Sequence, residues 1–130
     1  MLVAVYGTLR KGLNNHALLK HADYVGKYET LPEYKMVDLG PYPGLLENGN
    51  TSITMEVYKI SDITLKNVDN LEGYDPDSTT HHFYERIIID TPFGKAFTYL
   101  YKAGCNNAEI VDTGDWVDYY KLKQVMKHYV

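Results

Sequence analysis

The chain has 130 residues, with 13 lysines and arginines against 17 aspartates and glutamates, hence a net charge of −4. That length suits a single domain, 1–130, with its own core, and the sign of the charge argues against a general nucleic-acid binder, which displaces counterions with cationic residues. No apolar run approaches the about 18 residues of a membrane span, Met1–Tyr6 lacks the parts of a secretory signal, and Cys105 as the one cysteine excludes a disulfide framework, so a reduced, soluble, cytoplasmic protein with no membrane partner is expected.

Leu2 to Tyr6 is a continuous apolar run that stops at Gly7, which reads as a fully buried strand. The loop Gly7-Thr8-Leu9-Arg10-Lys11-Gly12 follows, and Asn14 or Asn15 is placed to cap a short helix through His21. Tyr24 to Asp38 reads as two short strands separated at Pro32, and Gly40-Pro41-Tyr42-Pro43-Gly44 as a turn-rich loop. Ile53, Met55 and Val57 alternate with Thr54, Glu56 and Tyr58, the pattern of a half-buried strand.

Ser61 or Asp62 caps a helix whose positions Leu65, Val68 and Leu71 fall along one face, and Gly73 stops it. Asp75 to Thr80 is a polar loop containing Pro76. Phe83–Asp90 and Lys95–Tyr101 form a hairpin across Thr91-Pro92-Phe93-Gly94. Asp115 is placed to cap a last helix over about 115–128, with Trp116, Tyr119, Tyr120, Leu122, Val125 and Met126 as its apolar positions. Five to seven short strands with two or three helices, and few βαβ units, predict an α+β fold: a small mixed sheet or partly closed barrel. Tyrosine, at 13 residues, is abundant. Strands use it, and phenols suit half-wet cavity walls.

The motifs exclude several chemistries. Gly7-x4-Gly12 follows a buried strand, but Leu13 and Asn14 stand where a nucleotide-binding loop needs Lys and Ser or Thr. A glycine ending a buried strand instead frees backbone N–H groups to face one anion. His16, His21, His81, His82 and His128 form no helical metal pair, Cys105 lies in a loop without a strand-to-helix elbow, and there is no G-x-S-x-G sequence. Carboxylates remain. Asp69 and Glu72 are one helical turn apart at the end of the central helix. With Leu71 facing the core, Glu72 sits at an apolar margin near a negative helix terminus. Both features raise a carboxyl pKa and suit proton transfer near neutrality. Glu56 and Glu85, on strands, are rivals. Tyr84, Arg86 and Ile88 share one strand face, opposite Phe83, Glu85, Ile87 and Ile89.

Taken together, Val5-Tyr6-Gly7-Thr8-Leu9-Arg10-Lys11-Gly12, Tyr42-Pro43-Gly44-Leu45, Met55-Glu56-Val57-Tyr58, Val68-Asp69-Asn70-Leu71-Glu72-Gly73-Tyr74, Phe83-Tyr84-Glu85-Arg86 and Ala96–Tyr101 resemble, in order, the motifs of the γ-glutamylcyclotransferase-like family, which includes γ-glutamylamine cyclotransferases and AIG2-like proteins. The resemblance covers about residues 2–103. Met55 stands where many relatives have glycine, and the helix after Asp115 matches no part of the pattern. It is placed to cover or reshape a cleft.

The resemblance implies a small α+β fold with one cleft, a small-molecule γ-glutamyl substrate and no cofactor or metal. Glu72 matches the catalytic acid/base, and the amides of Gly7, Thr8 and Leu9 match the binders of the glutamyl end. Tyr6, Tyr84 and Tyr99 are expected as wall residues. The implied reaction closes a γ-glutamyl amide to 5-oxoproline with release of an amine. The alternatives are a non-catalytic binder of 5-oxoproline-like carboxylates on the same fold, and a protein-interaction module.

Overall fold

The structure is a computed structural model and describes residues 1–77, 83–104 and 107–127. His81, His82, Cys105, His128 and the end of the loop expected over 75–80 lie outside the described residues. The elements in order are β1 (Leu2–Val5), a 3-10 turn (His16–Leu19), β2 (Asp23–Glu29), β3 (Tyr34–Asp38), β4 (Pro43–Glu47), β5 (Thr54–Lys59), α1 (Asp62–Glu72), β6 (Tyr84–Thr91), β7 (Gly94–Tyr101), β8 (Glu109–Ile110) and α2 (Trp116–Lys127).

A five-stranded sheet has the order β2-β5-β1-β7-β6, and a three-stranded sheet the order β4-β3-β8. β1 pairs antiparallel with β5 and parallel with β7. This central strand is covered on both faces, which is why its sequence is apolar without alternation. Its side chains still divide by the two-residue period. Ala4 and Tyr6 join Met36, Leu45, Met55, Val57, Leu100, Val111 and Trp116 in a core between the two sheets and α2. Val3 and Val5 join Leu9, Leu19, Tyr58, Val68, Tyr84 and Tyr99 in a second core under α1 and the loop after β1. The resulting α+β architecture, with two sheets packed around the first core, is the class predicted from the sequence.

Four expectations change. β5 is buried on both faces from Thr54 to Tyr58 rather than half-buried, because it lies between β2 and β1 and its carboxylate, Glu56, finds partners inside. The Tyr42-Pro43-Gly44 segment is not all loop. Pro43 begins β4, an edge strand, where a missing N–H costs no ladder bond. The helix expected after Asn15 is one 3-10 turn, and Asn15 gives it no side-chain cap. α1 is set differently about its axis. Its buried residues are Thr64, Val68 and Asp69, while Leu71 is 41% exposed. Ser61 Oγ accepts from Thr64 N–H at its start, and Gly73, with φ of 71°, ends it in the left-handed region.

Among the described residues no helix is long and apolar enough to cross a membrane.

Candidate active site

A cavity of about 260 Å³ opens at the C-terminal end of β1, between the loop that follows it, the start of β4, the end of α1, β6 and β7. Its lining brings together all seven residues predicted from the sequence: Tyr6, Gly7, Thr8, Leu9, Glu72, Tyr84 and Tyr99. Asn15, Tyr42, Pro43, Leu71 and Phe83 also line it and were not predicted. α2 contributes nothing to the lining, so of the two roles open to the last helix, covering or reshaping the cleft, it does not cover it. It packs instead on the first core through Trp116 and is tied to β3 by Tyr119 and Lys123, both bonded to Asp38 Oδ2 at 2.7 and 2.6 Å.

The loop after β1 is shaped by contacts on both sides. Arg10 N–H donates to Gly7 O at 3.0 Å, closing a turn, and Asn15 donates twice to Thr8, from N–H to O at 3.1 Å and from Nδ2 to Oγ1 at 2.8 Å. Asn15 is therefore a brace for the loop. The carbonyls of Gly7 and Thr8 are thus engaged, whereas the N–H groups of Gly7, Thr8 and Leu9 have no acceptor among the described residues. Gly7 is required by close approach: a β-carbon there would lie 2.9 Å from Pro43 Cγ and Cδ.

Beneath the loop lies a buried charge network. Arg10, 4% exposed, donates from Nε to Glu56 Oε2 at 2.8 Å and from NH1 to Asp115 Oδ1 at 2.7 Å. Lys11 N–H and Tyr58 OH donate to Glu56 Oε1 at 2.9 and 2.7 Å. Burial works to raise the Glu56 pKa, but the bonds from Lys11, Arg10 and Tyr58 outweigh it and hold the carboxyl below its ordinary value. Glu56 is thus a fixed anion anchoring the loop to β5 and to the start of α2. Glu85, the other rival, is exposed and faces Lys102 Nζ at 3.4 Å. Neither lines the cavity.

Glu72 differs from both. Burial, then the neighbouring Asp69 charge, push its pKa up to about 7. The reason expected from the sequence changes in part. Leu71 turns toward the cavity, and Asp69 takes the core-facing position one turn before Glu72. Asp69 is tolerated there because Arg86 NH1 and Tyr99 OH each donate to it at 2.5 Å. Arg86 is itself packed over the rings of Tyr74 and Phe97.

The three wall tyrosines direct their hydroxyls into the protein. Tyr6 donates to Tyr99 O at 2.6 Å, Tyr84 to Pro43 O at 2.8 Å, and Tyr99 to Asp69. Burial first, with Glu72 adding to it for Tyr6 and Tyr84 and Asp69 for Tyr99, raises all three pKa values, so the phenols stay neutral. The cavity lining therefore combines Gly7, Thr8 and Leu9, whose N–H groups have no acceptor among the described residues, neutral phenol walls and one carboxyl whose pKa is pushed up to about 7. Among the described residues no group of three or more His, Cys, Asp or Glu is placed to hold a metal.

Fold and cavity together define a small α+β protein in which the loop after β1 and the Glu72 carboxyl line one cavity. Residues 3–118 match the family described as gamma-glutamyl cyclotransferase, AIG2-like, and the chain belongs to that family. It is 44% identical over 115 residues to a putative gamma-glutamylcyclotransferase of Vibrio cholerae, covering 88% of this chain and 94% of that one. It is 36% identical to the gamma-L-glutamyl-butirosin B gamma-glutamyl cyclotransferase of Niallia circulans, covering 88% of this chain and 74% of that protein. The crystal structure of an uncharacterized protein from Pyrococcus horikoshii superposes with a TM-score of 0.80 at 25% identity, covering 98% of both chains.

Proposed function

We propose that the protein closes a γ-glutamyl amide to 5-oxoproline and a free amine, with Glu72 as the proton shuttle. One observation carries the reading: a carboxyl that titrates at about 7 shares a cavity with the unengaged N–H groups of Gly7, Thr8 and Leu9. The amides suit the anionic α-carboxylate of the glutamyl unit, or the oxygen that gains charge at the γ-carbon. The substrate's α-ammonium lies toward Glu72 in this arrangement. Ionised Glu72 takes a proton from it, and the freed amine attacks the γ-carbonyl carbon. The tetrahedral intermediate then expels the amide nitrogen, which leaves with the proton Glu72 carried, and the ring nitrogen gives up its second proton, which the released amine takes up as an ammonium.

Nucleophile and electrophile belong to one molecule, so no nucleophilic side chain and no water enter the balance. Holding the chain bent for ring closure is worth up to about 7–11 kcal/mol. The neutral phenols fix the shape of the cavity without competing for the proton. The test is incubation with a panel of γ-glutamyl amides and mass-spectrometric detection of 5-oxoproline, which is expected to accumulate with one equivalent of amine. Binding of 5-oxoproline with no turnover of any amide would replace this reading with a non-catalytic binder.

A further inference from the structure

The cavity has a closed end and an open end. Tyr6, Leu9, Tyr84 and Tyr99, each at most 7% exposed, form the closed end. Tyr42, Leu71 and Phe83, which are 44%, 41% and 70% exposed, form the open one. Single apolar side chains on a surface are ordinary. Three large ones gathered at one opening form an apolar patch suited to cover by a bound group.

The charges around the opening are as telling. Among the described lining residues there is no Lys, Arg, His or Asp, and Glu72 is the one carboxyl. Asp69, one helical turn before Glu72, has both oxygens engaged by Arg86 and Tyr99. At about 260 Å³ the cavity is below the about 300–1,000 Å³ that encloses a drug-sized ligand. A glutamyl unit held by the Gly7–Leu9 amides and Glu72 fills the closed end, and the substituent on the amide nitrogen has to extend to the opening.

Resting on the cyclotransferase reading, we infer that the substrate's amide nitrogen carries an uncharged, apolar substituent, an alkyl or aralkyl amine whose body lies on Tyr42, Leu71 and Phe83. A peptide-like substituent would bring a carboxylate to an opening with no cation among its described lining residues. A diamine would bring an ammonium to an opening whose described lining residues carry no carboxylate other than Glu72. In both cases the charged end finds no partner among the described lining residues and stays in water, leaving the three apolar side chains uncovered. An apolar body loses nothing and covers the three side chains.

The experiment compares kcat/KM for 5-oxoproline release from γ-glutamyl-benzylamide, the γ-glutamyl amide of 1,4-diaminobutane and a γ-glutamyl dipeptide. The apolar amide is expected to lead both by at least about tenfold, the scale on which apolar pockets discriminate. Phe83→Ser is expected to reduce that lead about tenfold, and Leu71→Asp to move preference toward the diamine. Both side chains are exposed, so the variants are expected to fold, which a melting curve checks. Release from all three amides without preference, or a lead for a charged amide, overturns the inference and leaves the cyclotransferase reading standing. Release from none overturns both.

Discussion

At Glu72 the same carboxyl serves activity and works against stability. Its pKa of about 7 lets it accept a proton for attack and return one for departure at neutral pH. Glu72→Gln keeps the size of the side chain and removes the base. Turnover is expected to fall by about 10²–10⁴ while 5-oxoproline binding persists, as read by kcat and by thermal shift. Normal turnover in this variant would assign the base elsewhere. Glu56→Gln is expected to act differently. It leaves Arg10 with Asp115 as its remaining anion, and it should cost about 2–4 kcal/mol in urea denaturation. Arg86→Gln leaves the Asp69 charge opposed only by Tyr99. That charge already helps to raise Glu72, so the acidic limb of the pH–rate profile is expected to move to higher pH. An unmoved limb would show that Asp69 and Glu72 are not coupled.

At the scale of elements, the loop after β1 is held from three directions: Pro43 against Gly7, Asn15 on Thr8, and Arg10 locked between Glu56 of β5 and Asp115 before α2. Gly7→Val tests the first. Its β-carbon meets a proline ring at 2.9 Å. Because the ring is closed and belongs to a paired strand, the loop has to move rather than the proline. The Gly7–Leu9 amides then lose their alignment. Binding of 5-oxoproline is expected to weaken at least about tenfold, equivalent to about 1.4 kcal/mol, with a cooperative melt retained. Unchanged binding would reduce the loop to an ordinary turn. Asp115 shows how α2, which is absent from the cavity lining, still bears on the site: it is the second anchor of Arg10.

For the whole molecule, two sets of carboxyls pull stability in opposite directions with pH. Asp38, Glu56 and Asp115 are buried enough to be pushed up, but their hydrogen bonds and cations prevail and hold all three below the ordinary value. Their contribution is present above the unfolded pKa of about 4 and is lost as pH falls through the folded values. Glu72 has the reverse sign. The folded protein holds its proton up to about pH 7 and the unfolded chain releases it near the ordinary carboxyl value. Stability therefore declines as pH rises through that interval, by roughly 2–3 kcal/mol. The maximum is expected near about pH 5, and Glu72→Gln is expected to flatten the neutral side while leaving the acidic side. Denaturation followed through the buried Trp116, the single tryptophan of the chain, measures both limbs. A neutral limb equally steep in the variant would remove Glu72 as its source. Activity is also expected to survive dialysis against a chelator. Loss restored by zinc or magnesium would overturn the cofactor-free mechanism.

Features that depend on neighbours along the chain are legible before it folds. The unbroken apolar run Leu2–Val5 marks a strand buried on both faces, the Ser61 and Gly73 caps bound α1, and the Thr91–Gly94 turn sets the β6–β7 hairpin. The ordered motifs from Tyr6 to Tyr99 led to seven residues that share one cavity. Local signals misled where tertiary partners prevailed. Pro43 and Gly44 carry turn chemistry yet begin an edge strand, because nothing pairs on the side of the missing N–H. Asp69 displaced Leu71 from the core face of α1, because Arg86 and Tyr99, 17 and 30 residues away, make a buried carboxylate affordable there. No spacing rule links Arg10 to Glu56 and Asp115, which lie 46 and 105 residues on. Only the folded chain decided which carboxylate is pinned as an anion and which is left to titrate near neutrality, because desolvation and charge pairing depend on what packs around a group in space.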